Sequence, residues 1–140
     1  MIRPMEKEDL DEILQIWLSA NCEAHPFVPE RYWRENLSSV RQALPGAQVL
    51  LWEEDGCILG FIGLQGEYIA GLFVRGGSRG RGVGKALLCA AKEGRRELTL
   101  SVYEKNSGAL RFYLREGFVP QETGTDSGSK ERELLMRWKR

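Results

Sequence analysis

Apolar residues recur along this chain with two different periods. Leu10, Ile13, Leu14, Trp17 and Leu18 share one helical face. The acids Glu6, Glu8, Asp9, Asp11 and Glu12 around its start suit the positive end of a helix dipole. This helix should end by Pro26. Trp33, Leu37, Val40 and Leu44 mark a second helix, closed by Pro45-Gly46. The period then shortens. Gln48 to Trp52 and Cys57 to Leu64 are short apolar runs joined by Glu53-Glu54-Asp55-Gly56, which predicts a hairpin. A third strand is predicted over about Tyr68 to Val74. The isolated Gly71 inside it signals a bulge or a close backbone approach.

Arg75 to Gly82 is rich in glycine and arginine, and Val83, Leu87, Leu88 and Ala91 then form a helical stripe. Glu97 to Tyr103 alternates as a strand, and Ser107 to Glu116 reads as a helix with Gly117 placed to end it. Phe118 opens another strand, Gln121 to Lys130 reads as a polar, mobile loop, and Glu133 to Trp138 forms a last strand. Ile2 to Met5 completes the count as a short first strand. The predicted order is β-αα-βββ-α-β-α-ββ, an α+β layout around one central mixed sheet. No repeat or linker interrupts it, so residues 1–140 read as a single domain.

Composition narrows the partners. The chain has 140 residues, 42% apolar and 29% charged, with 20 basic and 20 acidic side chains. A nucleic-acid binder or a polybasic membrane-surface protein would carry a basic excess, and neither partner is expected. The longest apolar stretch, Cys57 to Leu64, falls far short of the roughly 20 residues that span a bilayer. The acidic N-terminal region does not resemble a signal peptide. Cys22, Cys57 and Cys89 are odd in number and scattered, which fits reduced thiols in a cytoplasmic protein. With His25 the only histidine, no metal site is expected.

The stretch from Phe73 to Ala86 places a strand, a glycine turn and a helix start in sequence, which is an anion-binding arrangement. Arg75, Arg79, Arg81 and Lys85 add positive charge with no acid between them. Two other phosphate loops fail by spacing. A Walker A loop needs Gly where Arg79 stands and Ser or Thr where Ala86 stands. A Rossmann fingerprint meets Lys85 or Leu87 where its last small residue belongs. Further on, Asn106 and Tyr113 are seven residues apart and project to nearly the same side of a helix, about 20° apart, with Ala109 and Leu110 between them. That stripe suits an extended ligand. Asn106 also suits a helix cap, and Tyr113 a core tyrosine.

Arg79-x-x-Gly82-x-Gly84 matches the pyrophosphate loop of the GNAT superfamily of acetyl-CoA-dependent N-acetyltransferases, and the segment Asn106 to Phe118 is similar to that superfamily's second motif. Gly76 stands where many members carry proline. The resemblance covers almost the whole chain and implies a GNAT fold, a mostly antiparallel mixed sheet flanked by about four helices. It implies an acyltransferase that moves acetyl from acetyl-CoA to a primary amine by direct attack in a ternary complex, releasing CoA. The implied cofactor contacts are Leu72, Phe73, Val74, Arg79, Gly80, Arg81, Gly82, Val83, Gly84, Lys85, Ala86, Asn106, Ala109 and Tyr113. Tyr113 occupies the position of the general acid for the departing thiolate. The base is left open among Glu67, Tyr68, Glu104, His25 and a relaying water.

His25-Pro26-Phe27 followed by Tyr32-Trp33 looks similar to a small bacterial branch that includes protein-lysine acetyltransferases. That likeness implies acceptor contacts by His25, Phe27, Tyr32 and Trp33, with Tyr68 nearby; helix packing and an ordinary turn compete with it at each position. A protein lysine is the favoured acceptor. A protein N-terminal amine, a small amine metabolite, and a non-catalytic acyl-CoA sensor on the same fold are the alternatives. The expected assembly is a monomer or homodimer.

Overall fold

The computed structural model describes residues 1–140. Its strands are β1 (Ile2–Pro4), β2 (Gln48–Glu54), β3 (Cys57–Gln65), β4 (Tyr68–Val74), β5 (Glu97–Tyr103), β6 (Val119–Thr125) and β7 (Arg132–Lys139). The helices are α1 (Leu10–Ala24), α2 (Glu30–Ala43), α3 (Val83–Lys92) and α4 (Ser107–Arg115). The seven strands form one sheet in the order β1-β2-β3-β4-β5-β7-β6, antiparallel everywhere except between β4 and β5. The α+β class and the element order predicted from the pattern are those observed.

The central run from Cys57 to Leu64 shows no clean alternation because both faces of β3 are covered. Ile58 and Phe61 join Ile13, Leu14 and Ile16 of α1 in one core. Ile62 and Leu64 join Leu87, Leu88 and Ala91 of α3 and Tyr113 of α4 in the other. The sheet is therefore sandwiched between helix pairs, each burying its apolar stripe.

Two local features position the site. On β4, Gly71 pairs with Gly63 while Ile69 pairs with Leu64, so Ala70 is the extra residue of a bulge. A side chain at Gly71 would overlap the Phe73 ring, so this glycine also permits a close approach. Beyond the bulge the sheet opens. β4 and β5 are in register only at Tyr68–Thr99 and Ile69–Leu100, then part.

One segment differs from its predicted form. Gln121 to Thr125, expected within a mobile loop, belongs to β6 and pairs with β7 from Val119–Arg137 to Thr125–Arg132. Every residue of β6 is exposed. An edge strand open to water needs no apolar alternation, so its sequence resembles a loop.

Candidate active site

The phosphate-loop segment leaves β4 at Val74, makes a short 3-10 turn over Gly76–Ser78, and enters α3 at Val83. Gly80 and Gly82 have φ of +82° and +81°. Nothing lies within 4 Å of a Cβ placed at Gly82, so backbone conformation rather than crowding calls for glycine there. The Ala86 N–H closes the first helical bond on the Gly82 carbonyl at 3.0 Å. The N–H groups of Val83, Gly84 and Lys85 precede that bond, and no side chain caps the helix. They face a cleft of about 880 Å³ whose opposite wall includes Gly108, Ala109, Phe112 and Tyr113 of α4. Uncapped N–H groups beside an elongated, largely apolar cleft fit a phosphate-bearing ligand with a long tail.

The loop cations are less free than their sequence suggests. Arg75 donates to Glu12 at 2.8 Å and to the Ile58 carbonyl at 2.9 Å. Arg79 pairs with Glu23 at 3.1 Å, and Arg81 with Glu54 at 2.7 Å. Lys85 alone of the four has no acid partner.

A second cavity of about 320 Å³ is lined by both of the parted strands, with Tyr68 and Ala70–Phe73 from β4 and Ser101–Tyr103 from β5. Aromatic rings crowd it. His25 lies 4.9 Å from Tyr103 and 5.4 Å from Trp33, centroid to centroid. Asn106 sets the state of that imidazole. Its Oδ1 accepts the Ala109 N–H at 3.2 Å, capping α4, which turns Nδ2 toward His25 Nε2, also at 3.2 Å. An amide nitrogen only donates, so Nε2 is the acceptor and the imidazole proton sits on Nδ1. Burial, weakly opposed by the Asn21 carbonyl, drops the His25 pKa to about 4, so the ring is neutral at pH 7.

Two carboxylates share this cavity. Burial disfavours ionisation of Asp126, but hydrogen bonds from Ser129 and Tyr103 and from the Gly128 and Ser129 amides outweigh it and lower its pKa. The Tyr103 hydroxyl donates to Asp126 at 2.8 Å. Glu133 is shifted the other way, raised by burial and then by the Asp126 charge.

The two cavities share Leu72, Phe73, Ala109 and Tyr113. Tyr113 is only 8% exposed, and burial alone holds its phenol well above the usual range. A ligand on the loop and a ligand among the aromatic rings would therefore meet at Tyr113, in the gap between β4 and β5.

Residues 10–118 match the model of the acetyltransferase (GNAT) family. The chain belongs to the GNAT family. It is 41% identical to the peptidyl-lysine N-acetyltransferase YiaC of Escherichia coli over 140 residues, covering 99% of this chain and 96% of that protein. The solution structure of the apo form of YjaB from Escherichia coli superposes with a TM-score of 0.87 at 30% identity, covering 99% of this chain and 96% of that one. The GNAT fold also recurs in yncA from Salmonella typhimurium, solved with acetyl-CoA (TM-score 0.69, 21% identity, 99% and 92% covered). This protein is thus a GNAT N-acetyltransferase with the family's sheet and helices.

Of the cofactor residues implied by the GNAT resemblance, Leu72, Phe73, Val74, Arg79, Gly80, Gly82, Val83, Gly84, Lys85, Ala109 and Tyr113 line the larger cleft. Arg81, turned to Glu54, and Ala86 do not line it, and Asn106 borders the smaller cavity instead. His25, Trp33 and Tyr68 border the smaller cavity directly. Phe27 and Tyr32 stand behind its wall, packed edge-on against His25 and Trp33 at 5.6 and 5.0 Å. Two base candidates lie elsewhere. Glu67 is exposed in the β3–β4 turn, and Glu104 is bound to Arg132 at 3.0 Å. Tyr103, Asp126 and Glu133 were not singled out from sequence. Tyr103 reads as one more alternating strand residue, and Asp126 falls in the segment taken for a loop.

Proposed function

We propose that this GNAT enzyme transfers acetyl from acetyl-CoA to a primary amine, with a protein lysine as the favoured acceptor, by direct attack in a ternary complex. The observation that carries this reading is that the loop cleft and the aromatic cavity share Tyr113, with Leu72, Phe73 and Ala109. The peptidyl-lysine activity named for YiaC supports the choice of acceptor. The α3 amides and the unpaired Lys85 suit the CoA pyrophosphate, and Leu72, Phe73 and Val74 offer backbone groups that β5 does not use. When bound, acetyl-CoA supplies an activated acyl group. Tyr113 holds a proton at Oη for the departing sulfur; its raised pKa keeps that proton in place at neutral pH. No cysteine lines either cavity, so no acyl-cysteine step is invoked. Residues 1–140 act as one domain, and the free thiols of Cys22, Cys57 and Cys89 suit work in the cytoplasm.

Release of CoA is the test, measured with a lysine peptide, a lysine-free peptide with a free N-terminus, and small amines. The lysine peptide is expected to react fastest. Tyr113→Phe should lower kcat on the order of 100-fold while leaving acetyl-CoA affinity nearly unchanged. Unimpaired turnover by Tyr113→Phe would remove the tyrosine from this role. Tight acetyl-CoA binding with no acetylation of any amine would refute transfer itself.

A further inference from the structure

We propose that Glu133, on the wall of the smaller cavity, takes the proton from the acceptor's ammonium group. The assignment rests on reading that cavity as the acceptor site, and it goes beyond that reading by naming the base.

Elimination within the cavity carries the argument. An amine of pKa about 10.4 is protonated at pH 7 and has no lone pair for attack until it loses a proton. His25 cannot receive it, because Asn106 occupies Nε2 and Nδ1 already holds a proton. Tyr68 and Tyr103 are phenols, and Tyr103 donates its proton to Asp126. Asp126 accepts the Tyr103 and Ser129 hydroxyls on Oδ2, at 2.8 and 2.7 Å, and these bonds lower its proton affinity, which makes it the weaker base of the two carboxylates. Glu133 has no ion pair and no side-chain hydrogen bond. Its neighbours in sequence contrast with it. Glu131 is held by Lys105 at 3.1 Å, and Arg132 is taken by Glu104. The end of β7 thus places one uncommitted carboxylate in the cavity, directly across from Tyr103 in register.

The electrostatic surroundings suit the task. Asp126 approaches from the β6–β7 turn, Tyr32 from α2, Tyr103 from β5 and the neutral His25 from the end of α1. No cation faces Glu133 from any of these elements. An arriving ammonium would meet two carboxylates and several ring faces, which favours a cationic acceptor over a neutral one. Burial and Asp126 raise the proton affinity of Glu133, bringing it nearer to a useful base.

The step balances without another reactant. One N–H proton passes to a Glu133 carboxylate oxygen, and the freed lone pair forms the N–C bond as the C–S bond breaks. The sulfur takes the Tyr113 proton. The nitrogen, now bonded to the acyl carbon, sheds a second proton that replaces the one Tyr113 gave to the sulfur, and Glu133 returns its own proton to solvent, so a single proton is released per acetyl transferred.

The experiment compares wild type, Glu133→Gln, Glu133→Asp and the edge-strand control Glu122→Gln, with a lysine peptide at saturating acetyl-CoA between pH 6 and 10. Glu133→Gln should lose about 100-fold in kcat at pH 7, and the deficit should shrink as pH nears the amine pKa and solvent deprotonates the substrate. Glu133→Asp should keep the wild-type profile at intermediate kcat, and Glu122→Gln should match wild type. The KM for acetyl-CoA should not move. A Glu133→Gln profile within two-fold of wild type, or one lowered equally at every pH, overturns the assignment. Should Glu133→Gln not fold, a Glu133→Asp enzyme whose profile loses its pH dependence overturns it equally. Wild type that acetylates no amine overturns the functional reading beneath it, which is a separate and recognisable failure.

Discussion

The loop's role in cofactor binding is tested most sharply at Gly82. Substituting any L-residue there imposes φ of +81° on a side chain that disfavours it, costing roughly 1–2 kcal/mol of stability. Space is not limiting, since nothing lies within 4 Å of the new Cβ. Gly82→Asp should lose less stability than Gly82→Ala, because Gly82 is the α3 N-cap, where aspartate can accept from the free N–H groups and tolerates positive φ better; the affinity difference between the two reads the charge. An aspartate at this helix start would share the free N–H groups with a bound pyrophosphate, and a charge separation of about 5 Å is taken for the comparison. Repulsion from two phosphate charges is then about 1.7 kcal/mol at the dielectric constant of water and roughly 7 at an effective value of 20. The lower figure alone weakens binding about 15-fold. Calorimetric titration of acetyl-CoA into both variants, with thermal unfolding in parallel, reads the two effects separately. Equal affinity of Gly82→Asp and Gly82→Ala would show that the pyrophosphate does not sit on this helix start.

Two further outcomes follow from the Asn106–His25 pair. Asn106→Ala removes the cap of α4, costing about 1 kcal/mol, and frees the imidazole to exchange tautomers. Because His25 is the only histidine, its ring nitrogen-15 shifts report this directly; an unchanged Nδ1–H signal would refute the lock. The second outcome is a pH effect. The His25 pKa is about 4 in the folded chain against 6.5 unfolded, so its contribution is flat above pH 6.5 and stability is lost as pH falls from there to 4, where the unfolded chain alone takes up the proton. Urea unfolding of wild type and His25→Gln at pH 7, 5.5 and 4 should show the gap between them changing over that window; a constant gap would refute it.

The elements that bury a periodic face were legible in the sequence. The helical stripes of α1, α2 and α3 and the apolar run of β3 each have one packing solution, and the fold contains it. β6 was not legible, because an exposed edge strand follows backbone pairing that leaves no apolar signature. The phosphate loop could be found from glycine spacing alone. Its electrostatics could not, since Arg75, Arg79 and Arg81 are neutralised by Glu12, Glu23 and Glu54 from distant parts of the chain. The second cavity is the extreme case. Its walls come from α1, α2, β4, β5, α4, β7 and the β6–β7 turn, so no local pattern announces Asp126 or Glu133.

The two-position contact between β4 and β5 has a mechanical meaning. The strands β1 to β4 and the strands β5, β7 and β6 are each zipped along their full length, whereas the seam joining them is nearly unstitched. Whatever lies in the gap touches both halves and closes the seam from outside the chain. Its binding energy then adds to the cohesion of the folded chain, about 2.7 kcal/mol for a ligand at a hundred times its dissociation constant. The reactant completes the sheet that handles it.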